Sequence, residues 1–417
     1  MHNIIIINFE LGIRHNDTTL SVSMVQTAAY PRLPLLLPLV LTFGACSGSF
    51  PSANSGGGMA YAHAFSRPGA ELTSKGGSDD LEVPSSAIRN FRQAACLRDV
   101  YRCGSTDDLS GVKKGDSRLS DPESPESILL RRAGLILDLR SASERDEEKA
   151  RKWMAAAPGG PFSFVTFMRD SGTQPMVSAV GQGRRRIVNR IDVLSPSRLF
   201  AYLSENWLSP AQKILSAIYF AVDTGRLHEL RMDVLNERGL AGLYEAIVRT
   251  SEKELAHGLV AITEHFEADP NRRPVAVHCV QGKDRTGLLI MLCQSIIGVS
   301  DEEIISDYHV SSKLRKIEDG SAAAEGLKKL RKIEDGSAAA AGLRKGKLDR
   351  RVFSGAPKEA MVETMGFIRR NYGSICPGYL DAIGFDDQWR LRFVNALSTR
   401  TGKSAEVEVG SLPKSRL

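Results

Sequence analysis

The stretch "PVAVHCVQGKDRTGLLIMLCQSIIG", Pro274 to Gly298, sets a thiol, Cys279, six residues ahead of a guanidinium, Arg285, across a loop with one glycine, Gly282. If a strand ends at Cys279 and a helix opens at Arg285 and Thr286, the loop Val280, Gln281, Gly282, Lys283 and Asp284 aims successive backbone N–H groups into one concavity. Such a nest at a helix amino terminus suits a tetrahedral oxyanion. Arg285 would close it with a planar fork of donors matched to phosphate oxygens. A free cysteine titrates at about 8.5, and holding a thiolate about three units lower takes about 4 kcal/mol. A helix terminus supplies only about 0.3 to 1 kcal/mol. The converging amides, Arg285 and a hydroxyl such as Thr286 must therefore supply most of it, and the chemistry open to the thiolate is attack on phosphorus.

The elements that must position this loop are legible around it. "PVAVHC" and "AGLILDLR" (Ala133 to Arg140) are short apolar runs bounded by polar residues, the pattern of buried strands. Helical patterns lie on either side of the first: "GLAGLYEAIVRTSEKELAHGLVAITEHF" before it and "RTGLLIMLCQSIIG" after it. Strands alternating with helices predict an α/β fold with three layers, a parallel or mixed sheet covered on both faces. A further helix is expected at "VSDEEIISDYHVSS", where Ser300 and Glu303 have capping-box spacing.

The chain has 417 residues, 42% of them hydrophobic, with a formal net charge of +6. Basic and acidic residues share the same segments, which predicts solubility and not a nucleic-acid surface. Six cysteines without a CxxC pair give neither a disulfide scaffold nor a zinc site, and no metal or other cofactor is expected. A working thiolate at Cys279 favours a reducing compartment. The apolar run Leu33 to Ala45 fits a signal-peptide core, is too short for a membrane span, and begins unusually far in unless translation starts at Met24. A disordered leader with a chance apolar patch is the competing reading. Residues 1–86 are read as leader and Gly/Ser/Ala/Pro-rich linker, 87–400 as the folded domain and 401–417 as a polar tail. Within the domain, "LRKIEDGSAAAEGLKK" (Leu314 to Lys329) is followed at once by the near-copy Leu330 to Lys345. Two copies do not build a solenoid, so 314–345 reads as a duplicated surface insertion.

"HCVQGKDRTG" resembles the signature of cysteine-dependent phosphatases, and its Gly-Lys-Asp-Arg-Thr-Gly core is similar to the atypical tyrosine phosphatases of bacteria and fungi. "FRQAACLRDVYRCGSTDDLS", "LILDLRSASERDEE", "ISDYHVSS" and "YGSICPGYLDAIGF" resemble further segments of that family. Cys103 stands where the family usually has serine, and the duplication is a second departure. The resemblance implies the three-layer fold of those phosphatases. It also implies a phosphocysteine intermediate on Cys279, with Arg285, His278, Val280, Gln281, Gly282, Lys283, Thr286 and Gly287 shaping the phosphate site. The substrate would be a phosphorylated protein, or a phosphoinositide or inositol phosphate, since lysine at position 283 is shared with phosphatases of polyphosphorylated head groups. A silent phosphate-binding module is the reading from another class.

The proton donor to the leaving oxygen is the least legible part. Asp138, at a strand end, is the first candidate and Asp284 the second, with an ion pair to Arg140 or another arginine the ordinary role for Asp138 and a carboxylate restraint on Arg285 the ordinary role for Asp284. His278 is expected to orient the loop. Lys283 is expected at the mouth, and the run "GRRRIVNR" (Gly183 to Arg190) either adds to its field or is a solvated basic edge. Cys103 and Cys293 are either packed core residues or partners for a reversible disulfide with Cys279.

Overall fold

The computed structural model describes residues 9–15, 18–24, 88–113, 115–169, 186–320 and 347–398. The chain divides into two units, Met1–Asp80 and Leu81–Leu417. In the first, strands β1 (Phe9–His15) and β2 (Thr18–Met24) pair as an antiparallel hairpin. The apolar run Leu33 to Ala45 and most of the duplication lie outside the described residues.

The second unit is built on a six-stranded sheet. Its strands are β3 (Arg92–Gln93), β4 (Val100–Cys103), β5 (Leu135–Asp138), β6 (Phe162–Thr166), β7 (Arg186–Arg190) and β8 (Val275–His278). Their spatial order is β3-β4-β8-β5-β7-β6, with only the β3–β4 pair antiparallel. Four consecutive buried residues in each of β4, β5 and β8 reflect a sheet covered on both faces. Side chains alternate between two cores. Leu135, Leu137, Val275 and Val277 join the larger, whereas Ile136, Ala276, Val188 and Cys103 join the smaller with Trp153 and Met154.

The smaller core is capped by α1 (Glu147–Ala156), which supplies Trp153 and Met154. Helices α2 (Pro196–Asn206), α3 (Pro210–Val222), α4 (Thr224–Thr250), α5 (Glu252–Ala268), α6 (Asp284–Ile296), α7 (Asp301–Gly320), α8 (Lys358–Tyr372) and α9 (Asp387–Ser398) follow. Helix α4 is two helices joined at Gly239, whose φ of 65° only glycine adopts without strain. Helix α6 is almost wholly buried, its stretch Leu288 to Cys293 apolar on all sides, as a central helix must be. The expected capping box holds at α7: Ser300 Oγ donates to Glu303 Oε2 at 3.0 Å, and the Glu303 N–H donates back to Ser300 Oγ at 3.3 Å. The helix runs on into the first copy of the repeat as far as Gly320.

Parallel strands bring their carboxyl ends to one edge. Cys103, Asp138 and Arg190 lie in register with His278 or its neighbour along that edge, so the loops after β4, β5 and β8 meet there. Open α/β sheets place ligands at this edge. Among the described residues, no helix is long and apolar enough to cross a membrane, and no cluster of three His, Cys, Asp or Glu side chains could hold a metal.

Candidate active site

Strand β8 ends at His278 and helix α6 opens at Asp284, so Cys279 through Lys283 form the connecting loop. Its carbonyls are fastened outward one after another. The Ser105 N–H donates to the Val280 carbonyl at 3.0 Å. Asn90 Nδ2 donates to the carbonyls of Gln281 at 3.2 Å and Gly282 at 2.9 Å. Arg102 Nη2 donates to Gly282 at 3.1 Å and lies 3.5 Å from the Lys283 carbonyl. Because a trans peptide sets C=O and N–H on opposite sides, these anchors turn the N–H groups of residues 281 to 284 the other way. Such a row of inward amides at a helix amino terminus can hold a tetrahedral anion.

The anchors are themselves held. Arg102 is fully buried and pairs with Asp307 at 2.8 Å, and Arg92 donates to the Asp307 carbonyl at 2.7 Å and to Ser311 Oγ at 3.0 Å. Gly282 has a φ of 66°, and a Cβ there would sit 2.3 Å from the Cys103 carbonyl carbon and oxygen, so no other residue fits. At Gly287 a Cβ would meet Tyr308 at 3.2 Å and Arg102 Nη2 at 3.4 Å, so glycine lets the buried arginine approach α6.

Cys279 lies at the floor, 1% exposed, while Val280 and Gln281 are exposed at the rim. The buried Thr286 hydroxyl has no hydrogen-bond partner among the described residues. A hydroxyl there, in the first turn after the loop, can donate to an anion or a thiolate. Arg285 is gripped by Glu144 in a two-pronged pair, Nη1 to Oε2 at 2.5 Å and Nη2 to Oε1 at 2.8 Å. Burial opposes the arginine's charge, but the Glu144 bonds outweigh it and raise the guanidinium above its ordinary value. Glu144 is also burdened by burial, and the Arg285 bonds bring its carboxyl below the usual range. The grip leaves Arg285 Nε without a hydrogen bond among the described residues, a donor free to meet a ligand oxygen.

Several expectations need correction. Lys283 is not at the mouth. It is 2% exposed, and its ammonium donates to the carbonyls of Phe353 and Gly355, both at 2.7 Å, and lies 3.3 Å from Asp284 Oδ1. Asp138 is badly placed to donate a proton. Arg140 takes both its oxygens, at 2.9 and 3.0 Å, and its carboxyl, 3% exposed, falls to about 2. Burial would raise that value, and the positive groups outweigh it. His278 lies 3.8 Å away, and burial lowers its own pKa to about 4, so at neutral pH the imidazole is uncharged. Arg140 and Arg145 are then what keep Asp138 ionised. Asp284 does not restrain Arg285; Glu144 does. Asp284 Oδ1 instead accepts from the Tyr244 hydroxyl at 2.7 Å.

Nor does Arg186 sit on a solvated edge. It is buried, donates to the carbonyls of Leu129, Leu130, Ala133 and Gly160, and covers the Phe162 ring at 3.9 Å. Burial lowers its pKa to about 9, while Arg184 and Arg185 lie outside the described residues. Cys103 and Cys293 are buried, with burial pushing both thiols up, which suits packed core residues. Cys103 also points with His278 toward the smaller core, whereas Cys279 belongs to the larger. Sequence reasoning does not single out Asn90, Arg102, Glu144 or Tyr244; Arg102 and Glu144 fall only inside the segments "FRQAACLRDVYRCGSTDDLS" and "LILDLRSASERDEE" that resemble the family.

A six-stranded, mostly parallel sheet covered by helices, with a loop of inward amides at its carboxyl edge, gives an α/β fold consistent with a phosphatase domain. The model of the tyrosine phosphatase family matches residues 100–399, and the chain belongs to that family. A comparison with functionally curated proteins finds no match.

Proposed function

We propose that this phosphatase hydrolyses phosphate monoesters through a phosphocysteine on Cys279, with phosphotyrosine-bearing proteins as its substrates. The observation that carries the reading is the outward fastening of the carbonyls of Val280, Gln281, Gly282 and Lys283 around a buried thiol, with Arg285 held beside it. In the first step the Cys279 thiolate attacks phosphorus. The S–P bond forms as the ester P–O bond breaks, and the leaving oxygen takes a proton from Asp284. In the second step water attacks the phosphocysteine, gives its proton to the Asp284 carboxylate, and the thiolate leaves with the S–P electron pair.

The inward amides and Arg285 Nε meet the equatorial oxygens, and the Thr286 hydroxyl supports the thiolate when it leaves. Asp284 is preferred as the acid because it is half-buried and makes its contacts through Oδ1 alone among the described residues, while Asp138 is consumed by Arg140. A thiol this deep favours a long, flat side chain that can carry its phosphate to the floor. With the Lys283 ammonium turned to protein carbonyls, the main support for a polyphosphorylated head group falls away. The test is release of phosphate from p-nitrophenyl phosphate and from a phosphotyrosine peptide, with a chelator present. Hydrolysis of both is expected, and Cys279→Ser should lose it while still binding phosphate. Turnover by that variant near the wild-type rate would remove the covalent mechanism.

A further inference from the structure

Tyr244 lies in the half of α4 that follows the Gly239 kink, and Tyr308 lies in α7. Both side chains are buried, at 0% and 1% exposure. Their hydroxyls are 2.7 Å apart, and Tyr244 Oη is also 2.7 Å from Asp284 Oδ1. The rings meet edge to face, with centroids 6.1 Å apart. A hydroxyl has one proton. The Tyr244 proton is given to the carboxylate, so the bond between the tyrosines must be donated by Tyr308. The chain therefore runs in one direction, from Tyr308 to Tyr244 to Asp284.

Its end point is selective between the two oxygens of Asp284. Oδ1 accepts from Tyr244 and lies 3.3 Å from the Lys283 ammonium. Oδ2 has no hydrogen bond or ion pair among the described residues. A proton on Oδ1 would have to reverse the hydroxyl chain and would lie 3.3 Å from the Lys283 ammonium, so the transferable proton favours Oδ2. The carboxyl is also fixed in rotation, because its anchor is a rigid buried ring.

We infer that Tyr244, backed by Tyr308, is a positioning residue that confines the transferable proton to Asp284 Oδ2 and aims that oxygen at the leaving group. This rests on the reading of Asp284 as the acid. A pair that only fills the core would not care which leaving group departs, whereas a residue that aims the acid matters most when the departing oxygen is basic. General acid catalysis contributes about 10²- to 10⁴-fold where the leaving group needs a proton.

The experiment measures kcat/KM for a series of aryl phosphates from p-nitrophenyl to phenyl, using the full chain as wild type, Tyr244→Phe, Tyr308→Phe and Asp284→Asn. The ratio kcat/KM reports steps up to formation of the phosphoenzyme, where the leaving group departs. Tyr244→Phe should lose about 10-fold or more on phenyl phosphate and less than about 3-fold on p-nitrophenyl phosphate. Inhibition by inorganic phosphate should change little. Tyr308→Phe should show the same pattern at smaller size, and it carries the test if Tyr244→Phe does not fold. Equal losses across the series, or none, in a folded variant overturn the positioning role. If Asp284→Asn is steeply leaving-group dependent and the tyrosine variants are not, only this inference fails. If Asp284→Asn itself shows no such dependence, the acid assignment fails and the inference with it.

Discussion

Replacing Lys283 by Met separates two roles that its charge alone would not distinguish. The ammonium lies between the catalytic loop and the segment by which the chain returns from the duplicated insertion, donating to Phe353 O and Gly355 O at 2.7 Å each. Methionine has nearly the same reach and no donor, so both carbonyls lose their partner. A hydrogen bond from a charged donor is worth about 1.5 to 3 kcal/mol, and a buried acceptor left unpaired costs about 1 to 3 kcal/mol. The Phe353 bond is buried and the Gly355 bond only partly so, which brings the expected loss to about 3 kcal/mol. In a domain of this size that lowers the melting temperature by roughly 4 to 5 °C. The kinetic signature is equally definite. Any rise in KM should be the same factor for a phosphotyrosine peptide and for an inositol polyphosphate, because the charge faces protein and not solvent. Thermal melting and steady-state kinetics on the two substrates check both halves. An unchanged melting temperature with a KM raised about tenfold or more for the polyphosphate alone would put Lys283 back at the mouth and refute the reasoning.

Acidification should weaken the fold before it titrates the carboxylates. Burial lowers His257 and His278 to about 4, so each stays neutral in the native state while the unfolded chain takes up a proton near 6.5. Their contribution is complete above about pH 6.5 and is lost as pH falls toward about 4, with roughly 2 kcal/mol gone per histidine by pH 5. Urea unfolding across that range checks it, and His257→Gln should flatten the slope; a flat wild-type profile would contradict it. Asp138→Asn should cost about 3 kcal/mol by stripping a buried guanidinium of its main carboxylate, while leaving the dependence on leaving-group basicity as in wild type. For Asp138 the window lies lower, its stabilisation being present above about 4 and lost as pH falls toward about 2.

The strands and the loop were legible because local signals specified them. Ala133 to Arg140 and Pro274 to Cys279 each read as a short apolar run and contain β5 and β8, and the Ser300–Glu303 spacing marks the start of α7. Strand β7 was hidden because "RRRIVNR" looks like a basic surface, yet Arg186 bonds four carbonyls inside the domain. Lys283 was misplaced for the same reason. A lysine in a loop is usually solvated, and the carbonyls that hold it lie 70 and 72 residues further on, across the insertion. The props of the catalytic loop are equally remote in sequence: Asn90 reaches Gly282 over 192 residues and Arg102 reaches it over 180. Glu144 sits in the charged run "SERDEE", where nothing in the spacing distinguishes it from its neighbours. Composition reports what a side chain prefers; these residues are fixed by partners that only the folded sheet edge brings near.

The covalent role of Cys279 is tested most directly by quenching the enzyme in acid during turnover of a phosphotyrosine peptide and mapping the trapped phosphate by mass spectrometry. The reading predicts phosphate on the sulfur of Cys279, and none in Cys279→Ser, which still binds inorganic phosphate through the loop amides and Arg285. Phosphate found on another side chain, or full turnover by Cys279→Ser, would contradict it.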